Sequence, residues 1–110
     1  MKQGLALRKT TDDLVVLDAS VTPIGDSGHP STLRVMSKSA SAIQVSAALP
    51  GDTVIFIYYT NSKGEDVGVW VPYFGSSVLF PFEIPVNVEL MAIAEDAEIT
   101  SGILVINFFQ

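Results

Sequence analysis

Apolar residues in this chain recur in short runs of period two, broken by turn residues, not in the three-and-four spacing of an amphipathic helix. Leu14 to Val21 is the first clear run, and it ends at Thr22–Pro30, a loop holding two prolines and two glycines. No regular element crosses such a loop. Thr32 to Lys38 then alternates, with Leu33 and Val35 on one predicted face and Arg34 and Lys38 on the other. Ala42 to Leu49 does the same, with Ile43, Val45, Ala47 and Leu49 opposing Gln44 and Ser46.

Pro50-Gly51-Asp52 is a turn triplet, in which proline presets φ and glycine supplies the left-handed position. Thr53 to Thr60 follows as the densest β-forming run, and Asn61–Asp66 closes it in a polar loop. Val67 to Phe74 is the next strand, with Gly75-Ser76 as its turn. Val78 to Phe82 is short and contains Pro81, which has no N–H to give a ladder, so an edge or a bend is expected there. Val86 to Ala94 alternates, Glu95 to Gly102 turns the chain, and Ile103 to Phe109 is the final strand. No segment carries a capped helical stripe.

Eight or nine strands at this spacing, without intervening helices, predict one all-β domain over residues 1–110. Parallel pairing is disfavoured, because it needs crossovers of a dozen or more residues. The expected architecture is an antiparallel β-sandwich of jelly-roll type, with an immunoglobulin-like Greek key as the alternative.

Two strands break the usual rule that one face is apolar and the other wet. Thr53–Thr60 puts Val54, Phe56 and Tyr58 on one face and Ile55, Ile57 and Tyr59 on the other. The last strand sets Leu104, Ile106 and Phe108 against Ile103, Val105 and Phe109. Only one face of a strand can look into a sandwich. Leaving the second face wet forgoes roughly 1.5–3 kcal/mol per large side chain, so burial against another subunit is expected. Ile55, Ile57, Tyr59, Leu104, Ile106 and Phe108 are the candidate interface residues, although the pattern does not choose which face is the inner one.

Composition sharpens this expectation. Of the 110 residues, 48% are apolar and only 16% are charged, against about 25% charged in an average globular protein. A single small core hides only part of that apolar surface. The net charge of −6 repels phosphate backbones and anionic lipid, so neither nucleic acid nor a membrane is an expected partner. The first nine residues run into charge at Arg8-Lys9 before any hydrophobic stretch of signal-peptide length, and no run approaches the ~18 apolar residues of a membrane helix. Synthesis in the cytoplasm without an export signal is the expectation.

Candidate chemistry is sparse. There is no cysteine and a single histidine, His29, in the loop tripeptide Gly28-His29-Pro30. A structural zinc site wants four Cys or His ligands, and no Gly-x-Ser-x-Gly elbow supplies a nucleophile for a triad. Three acidic pairs, Asp12-Asp13, Glu65-Asp66 and Glu95-Asp96, fall at predicted turns. They lack the Asp-x-Asp-x-Asp-Gly spacing of a calcium loop, and paired glycosidase carboxylates must face one another across a cleft. Neither a Gly-rich phosphate loop nor a basic patch interleaved with aromatics is present. The expectation is a non-enzyme with no cofactor and no metal. Aromatic residues give one alternative: Tyr59, Trp70 and Tyr73 could form a platform on which a sugar stacks, making a carbohydrate- or other ligand-binding module.

The C-terminal third, Phe82-Glu83-Ile84-Pro85, Val88 to Ala94, Thr100-Ser101-Gly102 and Ile103 to Ile106, resembles small phage virion proteins. The resemblance covers about Phe80 to Phe109 and carries no functional residue with it. It implies a bacteriophage capsid-decoration or tail-associated subunit, located in the virion. Such a subunit would act through homo-oligomeric contacts, a trimer being the expected count, and through contacts with a capsid or tail protein.

Overall fold

The computed structural model describes residues 9–50, 54–72 and 77–110. Among these it contains eight strands and no helix: β1 (Lys9–Asp18), β2 (Ser31–Val35), β3 (Ala40–Ala48), β4 (Val54–Thr60), β5 (Asp66–Pro72), β6 (Val78–Ile84), β7 (Glu89–Ala94) and β8 (Ile103–Phe109). The strands nest around one turn. β4 and β5 pair through Asn61–Glu65, where the Asn61 side-chain oxygen accepts N–H bonds from Lys63 and Glu65, both at 2.9 Å. Outside that hairpin β3 pairs with β6, β2 with β7 and β1 with β8, all antiparallel. The protein is therefore one long antiparallel ribbon. Rolling the ribbon over itself brings β8 against β3 and β7 against β4.

The result is two four-stranded sheets, β1-β8-β3-β6 and β2-β7-β4-β5, packed face to face. This is the eight-stranded jelly-roll order. The all-β antiparallel sandwich predicted from the alternation is what forms. In an immunoglobulin-like key the successive strands would be joined more often by hairpins within one sheet.

Between the sheets lie Val15 and Leu17 of β1, Ile43, Val45 and Ala47 of β3, and Leu104, Ile106 and Phe108 of β8. The other sheet contributes Ile55 and Ile57 of β4, Val71 of β5, and Leu90, Ala92 and Ala94 of β7. The interface expectation is corrected here. Ile55, Ile57, Leu104, Ile106 and Phe108 are each 0% exposed within a single subunit, so no partner can reach them. Tyr59, the sixth candidate, also points inward and packs on the core, its ring stacked 5.9 Å from Phe82 of the opposite sheet. Alternation identified the two faces of β4 and β8, but the opposite member of each pair is the outer one.

Local chemistry explains the departures from simple alternation. β1 stops at Asp18 because its carboxylate accepts the Ser20 N–H at 3.0 Å and the Ser20 hydroxyl at 2.6 Å, turning the chain. β2 carries a register shift between Thr32 and Arg34. The bulge separates Leu33 from Val35: Leu33 packs on the core, while Val35 faces solvent. Arg34 is half-buried instead, its guanidinium carbon 5.5 Å from the centre of the Phe108 ring. β7 begins only at Glu89, because Asn87 takes a left-handed φ of 66° while its N–H bonds the Met36 carbonyl at 2.7 Å. Pro81 does lie in an edge strand, β6, as its missing N–H requires.

The long Thr22–Pro30 loop is tied down through Ile24, which exchanges two 2.9 Å backbone hydrogen bonds with Ile99. Both side chains are buried. Gly25 carries the next link: its N–H donates to the Ser31 hydroxyl at 3.0 Å, and its carbonyl accepts from Ala94 at 2.8 Å.

Candidate functional site

The two outer sheet faces differ, and the difference follows from how their apolar side chains are covered. On β2-β7-β4-β5 the register sets Phe56 opposite Trp70, and Tyr58 opposite both Gly68 and Met91. Phe56 stacks on Trp70 at 4.6 Å and on Tyr58 at 5.0 Å. A side chain at Gly68 would collide with Tyr58, its Cβ lying 2.5 Å from the Tyr58 Cβ. The bare glycine therefore lets Tyr58 settle onto the sheet until only 8% of it is exposed. Burial, and then the nearby Asp66 charge, push the Tyr58 hydroxyl above its ordinary pKa. The rings cover one another in part: Trp70 remains half exposed, and Val35 of β2 faces solvent on the same sheet.

The outer face of β1-β8-β3-β6 has no such cover. Its register runs in rows: Asp18, Ile103 and Ala48; Val16, Val105 and Ser46; Leu14, Asn107, Gln44 and Leu79; then Lys9, Phe109, Ala42 and Pro81. Val16 is 60% exposed, Leu14 50%, Ile103 45% and Leu79 44%. Across Leu14–Asp18 of β1 and across β8, β3 and β6, the outward side chains carry no charge apart from Asp18 at one corner and Glu83 at the other, while Lys9 joins the row of Phe109. From Leu14 across to Leu79 the face is largely apolar, on a protein whose net charge is −6.

Asn107 stands near its middle, between Leu14 and Gln44. Its Oδ1 is enclosed, and among the described residues it has no hydrogen-bond partner. An enclosed acceptor without a donor costs about 1–3 kcal/mol. Replacing Asn107 by Leu is therefore expected to raise the unfolding free energy by about 1 kcal/mol, measured by urea denaturation at fixed protein concentration.

The proposed aromatic platform does not come together. Trp70 points outward from β5, Tyr59 points inward from β4, and Tyr73 lies outside the described residues. Tyr59 instead lines a shallow recess of about 460 Å³ at one end of the sandwich, with Ser39, Ser41, Glu83 and Gln110. Phe80 and Phe82, on β6, belong to the other sheet from Trp70.

The polar candidates are spread over the surface. His29 is almost wholly solvated and donates from Nδ1 to Asp26 Oδ1 at 3.1 Å. Asp26, His29 and Glu98 border one small recess. Glu65-Asp66 sits at the β4–β5 hairpin and Glu95-Asp96 follows β7, whereas Asp12-Asp13 falls inside β1 and not at a turn. Among the described residues no group of three or more His, Cys, Asp or Glu is arranged to hold a metal ion.

Two carboxylates do have shifted proton affinities. The His29 side chain and then the Gly28 N–H hold Asp26 below the ordinary 3.8, and the Ser20 hydroxyl and N–H do the same for Asp18. A carboxyl whose folded pKa is depressed contributes stability that is present above its unfolded pKa and lost as pH falls through the folded value. Wild type should therefore lose stability as pH drops through and below 3.8, and the Asp18→Asn, Asp26→Asn double variant should lose less. Melting temperatures across an acid pH series check this.

Alternation along Leu14–Leu17 already carried the signal for the exposed face, since Leu14 and Val16 are as apolar as the inward Val15 and Leu17. Leu79 was not legible: the strand holding Pro81 had no assigned faces until its pairing with β3 was known. No family model matches the chain, and no curated protein or solved structure shows significant similarity to it.

Proposed function

We propose that this protein is a non-enzymatic structural subunit that works by packing against copies of itself and against a larger shell. The observation that carries this reading is the outer face of β1-β8-β3-β6, where Leu14, Val16, Leu79 and Ile103 stand in solvent although the interior is already filled. A monomeric protein rarely keeps a contiguous apolar patch of this kind unless something binds it. Among the described residues His29 is solvated and no group of three or more His, Cys, Asp or Glu is arranged to hold a metal ion.

The setting we favour is a virion, with the chain as a capsid-decoration or tail-associated protein. The resemblance of residues 80–109 to small phage virion proteins supports it, as does a jelly-roll topology common among viral shell subunits. Light scattering coupled to size exclusion tests the assembly: a stable multiple of 11.8 kDa is expected, and a monomer at every accessible concentration would overturn it. Mass spectrometry of gradient-purified particles tests the setting, which falls if the chain is absent from them.

A further inference from the structure

Resting on the assembly reading, we infer that the outer edge of β5 pairs antiparallel with β5 of a second copy of this chain, about a two-fold axis at Val69, joining β2-β7-β4-β5 of each copy into one continuous sheet. The site is a row of backbone groups, and such a row names its occupant: another strand. Four strands stand at sheet edges, β1, β6, β2 and β5. Bulges, charges and proline blunt natural edges, and they blunt three of these. β1 shifts register between Lys9 and Leu14 and contains Asp12 and Asp13. β2 is short and shifts between Thr32 and Arg34. β6 contains Pro81 and Glu83. β5 instead pairs with β4 from Asp66 to Pro72 without a shift, and Val67–Val71 holds neither charge nor proline.

The ladder decides which backbone groups of β5 face away from β4. The Asn61 N–H bonds the Glu65 carbonyl at 2.8 Å, and bonded pairs recur at every second residue of an antiparallel ladder. Tyr59–Val67, Ile57–Val69 and Ile55–Val71 are therefore the bonded pairs between β4 and β5. The 2.9 Å bond from the Glu95 N–H to the Val54 carbonyl agrees, because it turns Val54, Phe56 and Tyr58 toward β7. The N–H and C=O groups of Asp66, Gly68 and Trp70 then point out from the sheet edge. Among the described residues no strand meets them.

The order of side chains along β5 selects a second copy as the occupant. With the axis at Val69, Gly68 of each copy falls opposite Trp70 of the other, and Val67 falls opposite Val71. Gly68 and Trp70 then exchange N–H···O=C bonds across the joint in both directions, using the groups already turned outward. Trp70 is half exposed, and the bare Gly68 of the second copy leaves room for its ring beside that copy's Tyr58. The Phe56, Tyr58 and Trp70 stack of one copy would thereby run on into that of the other. An unrelated strand would have to offer a large side chain and a bare position in the reverse order, which β5 itself supplies. Moving the axis to Gly68 sets Trp70 opposite Asp66, and moving it to Trp70 sets Gly68 opposite Pro72; both lose the match.

Charge does not prevent this contact, although the net charge is −6. The two Asp66 carboxylates stand at opposite ends of the joint, about 20 Å apart for six residues of strand. That exceeds the Debye length of about 8 Å in physiological salt. The pairing makes a dimer, by itself or as the unit of an even-numbered assembly, in place of the trimer that the virion resemblance implies.

Amide hydrogen exchange on wild type, read residue by residue by NMR, tests the inference together with light scattering. The expected mass is twice 11.8 kDa or an even multiple of it. In that assembly the Gly68 and Trp70 amides should exchange about a hundredfold or more slower than open amides, as Val69 does through its bond to β4. Trp70→Pro removes one outward N–H and the ring but no ladder bond to β4, so it should halve the mass and keep the wild-type circular dichroism spectrum. An assembled wild type whose Gly68 and Trp70 amides exchange as open ones overturns the inference while the assembly reading stands. So does a trimer, or a folded Trp70→Pro variant of undiminished mass. A wild-type monomer overturns both. Should Trp70→Pro alter the spectrum, the exchange measured on wild type decides.

Discussion

Replacing Phe108 with Ala is expected to remove about 3–5 kcal/mol from the unfolding free energy, the range for deleting a large aromatic side chain from a close-packed interior. Phe108 lies on β8, which is hydrogen-bonded on both sides, to β1 and to β3. Its side chain is fully buried, and the Arg34 guanidinium approaches its ring from the edge strand β2. Neighbours on two sheets would have to collapse into the void, and the β8 backbone is held by ladders on either side. Urea or thermal unfolding measures the loss. A domain of this size has a total stability of roughly 5–15 kcal/mol, so the variant should be near the limit of folding. A loss under about 1 kcal/mol would show that β8 does not present Phe108 to the interior. Phe109, half-buried on the outer face of the same strand, should cost distinctly less when cut to Ala.

Gly25→Ala is the second large effect, expected to cost about 3 kcal/mol through crowding and not through a void. A Cβ at this position would overlap the His29 carbonyl oxygen and lie 2.8 Å from its carbonyl carbon. Both are backbone atoms, so no side-chain rotation relieves the overlap. The loop would have to move, straining the hydrogen bonds from the Gly25 N–H to Ser31 and from the Ala94 N–H to the Gly25 carbonyl. Ile24, buried beside Ile99, would be pulled with it. The expected signature is a lowered melting temperature with an unchanged β-sheet circular dichroism spectrum below the transition. Gly28→Ala, in the same loop, is the contrast: its Cβ would meet only the Asp26 side chain at an ordinary 3.5 Å. Equal losses for the two variants would show that the close approach at Gly25 is not the cause.

The sequence by itself determined the secondary structure and the class of the fold. Period-two alternation and turn chemistry are local, so Ile43, Val45 and Ala47 could be set on one face of β3 without knowing any neighbour. Pro81 announced an edge or a bend for the same reason, since a missing N–H is a property of the residue, and the pairing made it an edge. Where a strand carries apolar side chains on both faces, local information runs out. Ile57 and Phe56 are both apolar, yet Ile57 is buried in the core and Phe56 stacks on the outer surface. That choice is made by the register with β5 and β7 and by which face meets the opposite sheet, which are pairings between residues distant along the chain.

The same reasoning covers the rest of the candidate site. The bulge in β2 turned Arg34 toward Phe108 and Val35 to solvent, against the simple alternation, because one extra residue shifts every side chain after it to the other face. Tyr59 and Trp70 look like members of one platform in a list of aromatics, but they leave the sheet from opposite sides. The exposed face of Leu14, Val16, Ile103 and Leu79 is drawn from three strands widely separated in the chain. Its apolar residues are visible in the sequence; that they share one outer face is decided only when the rolled ribbon lays β1, β8, β3 and β6 side by side.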